Sequence, residues 1–246
     1  MSDLSNCTAL VTGSFERTGL GIAEELARRG AQIILHGRTD DERRVKAQEM
    51  FKHQLGQEPQ VVFGDITSPE ACSQIAQQTD GLDILVNNVG VYNPTDLAKT
   101  TAEHWRWTLA GNLDSSFYMS QAFLPHLLKS GRGRLIQIGY VTCDQVRARA
   151  EFPAYQIAKT GVHLLTLSYA QRFAHKGLTA NTVSPGQLAN SIDLETAGDL
   201  PSGRPGEVKE VAAAVAFLAS EKAAYITGAN INVAGGWEPT NHRFED

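Results

Sequence analysis

Seven short apolar runs, each followed by an amphipathic or turn-rich stretch, restrict this 246-residue chain more than any other feature. The runs lie near 7–12, 31–36, 60–64, 82–87, 133–139, 178–184 and 229–233. The stretches near 19–30, 40–55, 68–79, 100–129, 153–175 and 206–220 read as helices. Strands alternating with helices predict βαβ units and a mostly parallel sheet. The runs are near-continuously apolar, as in LDILV (82–86), the pattern of strands covered on both faces. No repeat, low-complexity tract or linker interrupts the alternation. The expected fold is therefore α/β: one doubly wound domain, residues 1–246, with about seven parallel strands. Such sheets bind ligands outside the carboxyl ends of their strands, so chemistry is sought in the loops that follow strands.

The loop TGSFERTGLG (12–21) follows the first strand and opens the first helix. Gly13, Gly19 and Gly21 allow a tight turn and close approach of backbone to a phosphate, and a helix N-terminus adds unbonded N–H groups. The second strand ends in His36, Gly37 and Arg38, where a carboxylate would suit a ribose 2′-hydroxyl and a cation a 2′-phosphate. With Arg17 reaching from the first loop, two guanidiniums could clamp one phosphate, which favours NADP(H). Asp40 and Asp41 read as helix-starting residues. Asp65, in GDIT (64–67), suits either an adenine amino group or a turn. NNVG (87–90) suits either a sharp turn that ties strands together or cofactor contact.

Asn112, beside Gly111 in WTLAGNLDSSFYM, is a poor helix residue amid apolar neighbours. It predicts a local helix distortion and a buried polar task. Tyr155 and Lys159 stand four apart, with neither Gly nor Pro between them, so a helix brings both to one face. A phenol titrates near pH 10, and a nearby cation pulls that value down. Lowering it to neutrality takes about 4 kcal/mol and would make Tyr155 an effective proton donor. Pro185 and Gly186 form a rigid turn after the sixth strand, and the polar segment 187–204 reads as a substrate loop.

A net charge of −5 without a basic cluster argues against nucleic acid. The first residues lack the charged and apolar parts of a secretion signal, and the longest apolar run, Val211–Ala219, is too short for a bilayer. Cys7, Cys72 and Cys143 are widely spaced, without a CxxC, as in reduced thiols rather than a metal site. These features predict a cytoplasmic protein without a metal.

The motifs TG…G-x-G (12–21), Asp65, NNVG, Asn112, YQIAK (155–159) and SPG (184–186) together resemble the short-chain dehydrogenase/reductase family along essentially the whole chain. The segment 203–236 is similar to β-ketoacyl-acyl-carrier-protein reductases. The resemblance implies a Rossmann fold, often tetrameric through the 100–129 and 153–175 helices. It implies catalysis by Tyr155 as proton donor, Lys159 as its partner and Asn112 as the holder of a water. It implies NADPH/NADP+ contacts from Gly13, Ser14, Arg17, Gly19, Arg38, Asp65, Ile66, Asn87, Gly90, Tyr155, Lys159, Pro185 and Gly186. Two departures stand out. Five residues rather than three separate Gly13 from Gly19, and with His36-Gly37-Arg38 this is similar to pteridine reductases. The family's catalytic Ser is replaced: strand register puts Tyr140 at its position, whereas spacing back from Tyr155 reaches Thr142, and register is the firmer guide. Three functions follow: NADPH-dependent reduction of a β-ketoacyl thioester or similar small ketone, reduction of a pterin or dihydropterin, or NADP(H) binding without turnover as a sensor or scaffold.

Overall fold

The computed structural model describes residues 3–191 and 200–238. Seven strands form one parallel sheet: β1 Thr8–Val11, β2 Gln32–Gly37, β3 Gln60–Phe63, β4 Ile84–Asn87, β5 Arg134–Ile138, β6 Thr179–Pro185 and β7 Asn230–Val233. Their order is β3-β2-β1-β4-β5-β6-β7, each pairing parallel to its neighbour. Between strands run α1 Arg17–Arg28, α2 Glu42–Met50, α3 Pro69–Gln77, α4 Ala102–Leu109, α5 Ser115–Ser130, α6 Pro153–Phe173 and α7 Val208–Ala219. The doubly wound α/β expectation is met, with a Rossmann-type strand order that reverses between β1 and β4.

The sheet is apolar because both faces are covered. Ala9 and Val11 of β1, Ile33 and Leu35 of β2, and Ile84 and Val86 of β4 pack under α1 and α7. Leu10, Ile34 and Leu85, the alternate residues, pack under Met119, Phe123 and Leu127 of α5 and Ile75 of α3. Gly21 lets α1 meet α7: a Cβ there would fall 2.4 Å from Val208. Gly21 thus serves the packing of the two helices.

The stretch read as one helix over 100–129 is α4 and α5 joined by a π-helical turn, Ala110–Asp114. The distortion expected at Gly111 and Asn112 lies there. Gly111 is required by contact, since a Cβ would stand 2.7 Å from Val91. The 40–55 stretch likewise closes in a π turn, Phe51–Leu55. No helix among the described residues is long and apolar enough to cross a membrane. Cys7, Cys72 and Cys143 are buried free thiols. The core of the expected substrate loop, residues 192–199, lies outside the described residues; its flanks meet where Ala189 donates to the Gly206 carbonyl.

Candidate active site

A cleft of about 450 Å3 opens at the carboxyl ends of β1, β4, β5 and β6. Gly13, Arg17, Gly19, Gly90, Tyr140, Tyr155, Lys159, Pro185 and Gly186 all line it.

Its first wall is the β1–α1 loop. Gly13 takes φ +62°, a conformation that costs a residue without Cβ nothing. A Cβ on Gly19 would fall 2.2 Å from the Gly13 carbonyl oxygen. This backbone contact draws the loop tight against the first turn of α1. The N-cap of α1, Glu16, makes no side-chain bond to that turn. At α2, α3 and α4, by contrast, Asp41, Ser68 and Thr101 accept from the first-turn N–H groups. The α1 donors are therefore left to whatever enters the cleft. The Gly13 N–H is not among them, because it donates to His36 Nδ1 at 3.2 Å.

The second wall is α6. Tyr155 and Lys159 share its inner face, and the Lys159 ammonium stands 5.8 Å from the Tyr155 ring centroid. Lys159 is buried and donates to the Ile138 carbonyl at 2.8 Å, at the end of β5. Burial lowers its pKa to about 8. Tyr155 is edge-on to Tyr92 (4.9 Å between centroids), Tyr140 (5.4 Å) and Phe152 (6.5 Å). Desolvation, and then the neighbouring Tyr140, Tyr92 and Cys143, raise the Tyr155 pKa. This corrects the expectation of an acidified phenol. Lys159 stands over the ring, and removal of water from the phenol is the dominant influence on it.

Beneath the cleft floor, Asn112 donates to the carbonyls of Val91 and Thr108, each at 2.9 Å. Its Oδ1 is buried and unbonded among the described residues. A Cβ on Gly90 would lie 2.9 Å from that oxygen and 3.1 Å from Lys159 Nζ. An amide acceptor and an ammonium thus converge on one glycine.

Tyr140 and Thr142, the two candidates after β5, stand in different places. Tyr140 lines the cleft. Thr142 does not; it is buried with φ +72°, and its Oγ1 has no partner among the described residues.

The remaining candidate residues have these surroundings. The side chain of Asn87 turns away from the cleft and donates to Ser120 Oγ at 2.9 Å. Its neighbour Asn88 lines the cleft and donates to the Thr12 carbonyl at 2.9 Å. Ser14 is buried, its Oγ accepting from the His36 N–H. Ile66 packs in the core beneath α3. Asp65 accepts from both the N–H and the hydroxyl of Thr67 through Oδ1, as a turn residue does. Arg17 takes φ +55° and its guanidinium donates to the Asn190 carbonyl, across the cleft toward β6. Arg38 is exposed at the end of β2, beside Asp65.

Sequence reasoning missed Tyr92 and Trp237, while Leu188 of the expected substrate loop does line the cleft. Trp237 faces Tyr140 at 6.4 Å and its neighbour Glu238 pairs with Arg147 at 3.0 Å. An aromatic directly after a Gly-Gly turn was the available signal for Trp237.

This arrangement fits a dinucleotide. The α1 donors and glycine loop suit a pyrophosphate, and the glycine-floored pocket beside Tyr155 and Lys159 suits a flat ring. Residues 17–238 match the family model described as enoyl-(acyl carrier protein) reductase. The chain is 37% identical to a 3-oxoacyl-[acyl-carrier-protein] reductase of Vibrio cholerae, over 95% of this chain and 98% of that one. It is 32% identical to a galactitol 2-dehydrogenase (L-tagatose-forming) of Cereibacter sphaeroides, over 95% and 96%. Among solved structures, a gluconate 5-dehydrogenase from Burkholderia cenocepacia in complex with NADP and tartrate superposes with a TM-score of 0.86, at 28% identity and over 95% of each chain.

Proposed function

The chain belongs to the short-chain dehydrogenase/reductase family, and from that membership we propose that it reduces a carbonyl to an alcohol with NADPH, taking a β-ketoacyl thioester or similar small ketone and using Tyr155 as proton donor. One observation carries this reading: Tyr155, Lys159 and the unbonded Asn112 oxygen gather at one end of a cleft whose other end is the uncapped start of α1.

In this reading the glycine loop and the first turn of α1 would hold the pyrophosphate, while Gly90, Pro185 and Gly186 would border the nicotinamide. When bound, such a cofactor would supply hydride chemistry at the carbonyl carbon. Tyr155 gives its hydroxyl proton to the carbonyl oxygen, and the phenolate left behind is neutralised by a proton from Lys159. Lys159, with a pKa of about 8, exchanges protons readily at neutral pH. Asn112, fixed by its two donated bonds, offers Oδ1 to a water between Lys159 and solvent. Tyr140 presents a second phenol in place of the family's Ser, and orients the carbonyl oxygen by hydrogen bonding.

The aromatic walls Tyr92, Tyr140 and Trp237 favour a second reading, reduction of a pterin or dihydropterin, since a flat ring packs well between aromatic edges. A sensor or scaffold role without turnover is the third. NADPH oxidation with acetoacetyl thioester, a diketone, a quinone and a dihydropterin separates them. Turnover of the thioester or diketone supports the first reading, and turnover of the dihydropterin alone supports the second. NADPH binding without any turnover would replace both with the third. Cofactor choice has its own test: Arg38→Asp is expected to raise the NADPH KM at least tenfold more than the NADH KM, and an unchanged ratio would make Arg38 a surface residue only.

A further inference from the structure

A histidine at the buried end of a parallel strand has two ring nitrogens to satisfy, and in the neutral ring one donates while the other accepts. His36 is 2% exposed. Its Nδ1 accepts from the Gly13 N–H at 3.2 Å. The Gly13 nitrogen can only donate, so the proton sits on Nε2, which donates to the Gly64 carbonyl at 3.2 Å. The main chain of His36 is tied to the same loop: its N–H donates to Ser14 Oγ and its carbonyl accepts from the Ser14 N–H, both at 2.9 Å. One side chain thereby joins the carboxyl ends of β1, β2 and β3.

The tie to Gly13 reaches further than the strand ends. The Gly13 carbonyl sits directly against Gly19, in the first turn of α1. Gly13 also packs on Val89, with 2.9 Å between its Cβ position and a Val89 methyl. A displaced Gly13 would therefore carry with it the turn whose N–H groups face the cleft. An apolar side chain of similar size could fill the space of His36, but it would leave the Gly13 N–H and the Gly64 carbonyl without partners.

We propose that His36 is a positioning residue for the dinucleotide: through Gly13 it holds the first turn of α1 in the place where the pyrophosphate is met. This rests on the nicotinamide-cofactor reading above. Burial keeps the ring neutral, with its pKa lowered to about 4 despite Asp65 on the β3 loop. The acceptor nitrogen is therefore available throughout the neutral range.

The test is titration of NADPH and NADH against wild type, His36→Leu and His36→Gln, with steady-state kinetics and thermal melting on each. His36→Leu is expected to fold and to raise the Kd and KM of both cofactors about tenfold, the loss of one buried hydrogen-bonded tie. Its kcat at saturating cofactor should stay within about twofold of wild type, because the reacting groups are untouched. His36→Gln, which keeps one donor and one acceptor, should show a smaller rise in KM, and it decides the matter if His36→Leu does not fold. A purely architectural histidine would lower the melting temperature or the active fraction and leave KM and Kd where they were; that outcome overturns the proposal. Wild type failing to bind either cofactor would instead overturn the reading on which the proposal rests.

Discussion

A lysine that is 3% exposed sits where its charge is poorly solvated. Lowering its pKa from 10.5 to about 8 corresponds to roughly 3 kcal/mol against folding while the group is protonated. The sign follows from proton binding. Between pH 8 and 10.5 the unfolded chain holds the proton and the folded protein has released it, so stability rises with pH across that window. Lys159→Met is accordingly expected to stabilise the protein at pH 7 by about 1–3 kcal/mol, less the bond lost at Ile138, while abolishing reduction. Urea unfolding at pH 7 and pH 9.5 should show the advantage shrinking at the higher pH, and a destabilised variant at pH 7 would refute it. The spacing of Tyr155 and Lys159 is enough to put them on one helix face. It says nothing of how much water the surrounding fold removes, which is why the expected sign of the Tyr155 shift was wrong. The same limit applies to Asn87 and Asn88: two adjacent amides in a turn look alike in sequence, and only strand register decides which one faces the cleft.

Every expected strand is present, and each expected helical stretch is helical, the 100–129 stretch as two helices joined by a π turn, because parallel strands covered on both faces and amphipathic helices carry their period in the sequence itself. The π turn at Ala110–Asp114 was foreshadowed by Gly111 and Asn112, two residues with poor helix propensity. That turn carries Asn112 inward, where its amide satisfies the Val91 and Thr108 carbonyls. Asn112→Ala leaves both carbonyls buried without that donor, and a loss of about 1–3 kcal/mol is expected, together with reduced turnover. Thermal melting and steady-state assays read both; unchanged stability would mean that water replaces the amide at no cost. The uncapped start of α1 was legible only in part. The glycines mark the loop, but the absence of a cap and the diversion of the Gly13 N–H to His36 depend on atoms more than 20 positions apart in the chain.

The strand order places β1 beside β4, and the cleft opens at that reversal, where doubly wound sheets bind ligands. The location of the site was therefore readable from the alternation of strands and helices. Its side walls were legible only in part: the substrate loop supplies Leu188, but Tyr92 and Trp237 come from segments without a repeating pattern. The outer surface bears exposed Trp107, Phe117, Ile157, Leu164 and Leu167 on α4, α5 and α6. Helices with such faces are expected to pair with another copy of the chain, in keeping with the tetramer that the family resemblance implies. Sedimentation at micromolar concentration should show a dimer or tetramer, and a monomer would contradict it. What the functional account requires above all is that one phenol deliver the proton while the fold and the cofactor cleft stand without it. The measurement is NADPH-dependent carbonyl reduction by Tyr155→Phe beside wild type, with NADPH affinity measured on both. The expected result is at least a thousandfold loss in kcat with NADPH affinity within about threefold of wild type; reduction at the wild-type rate by the phenylalanine variant would show that the proton comes from elsewhere.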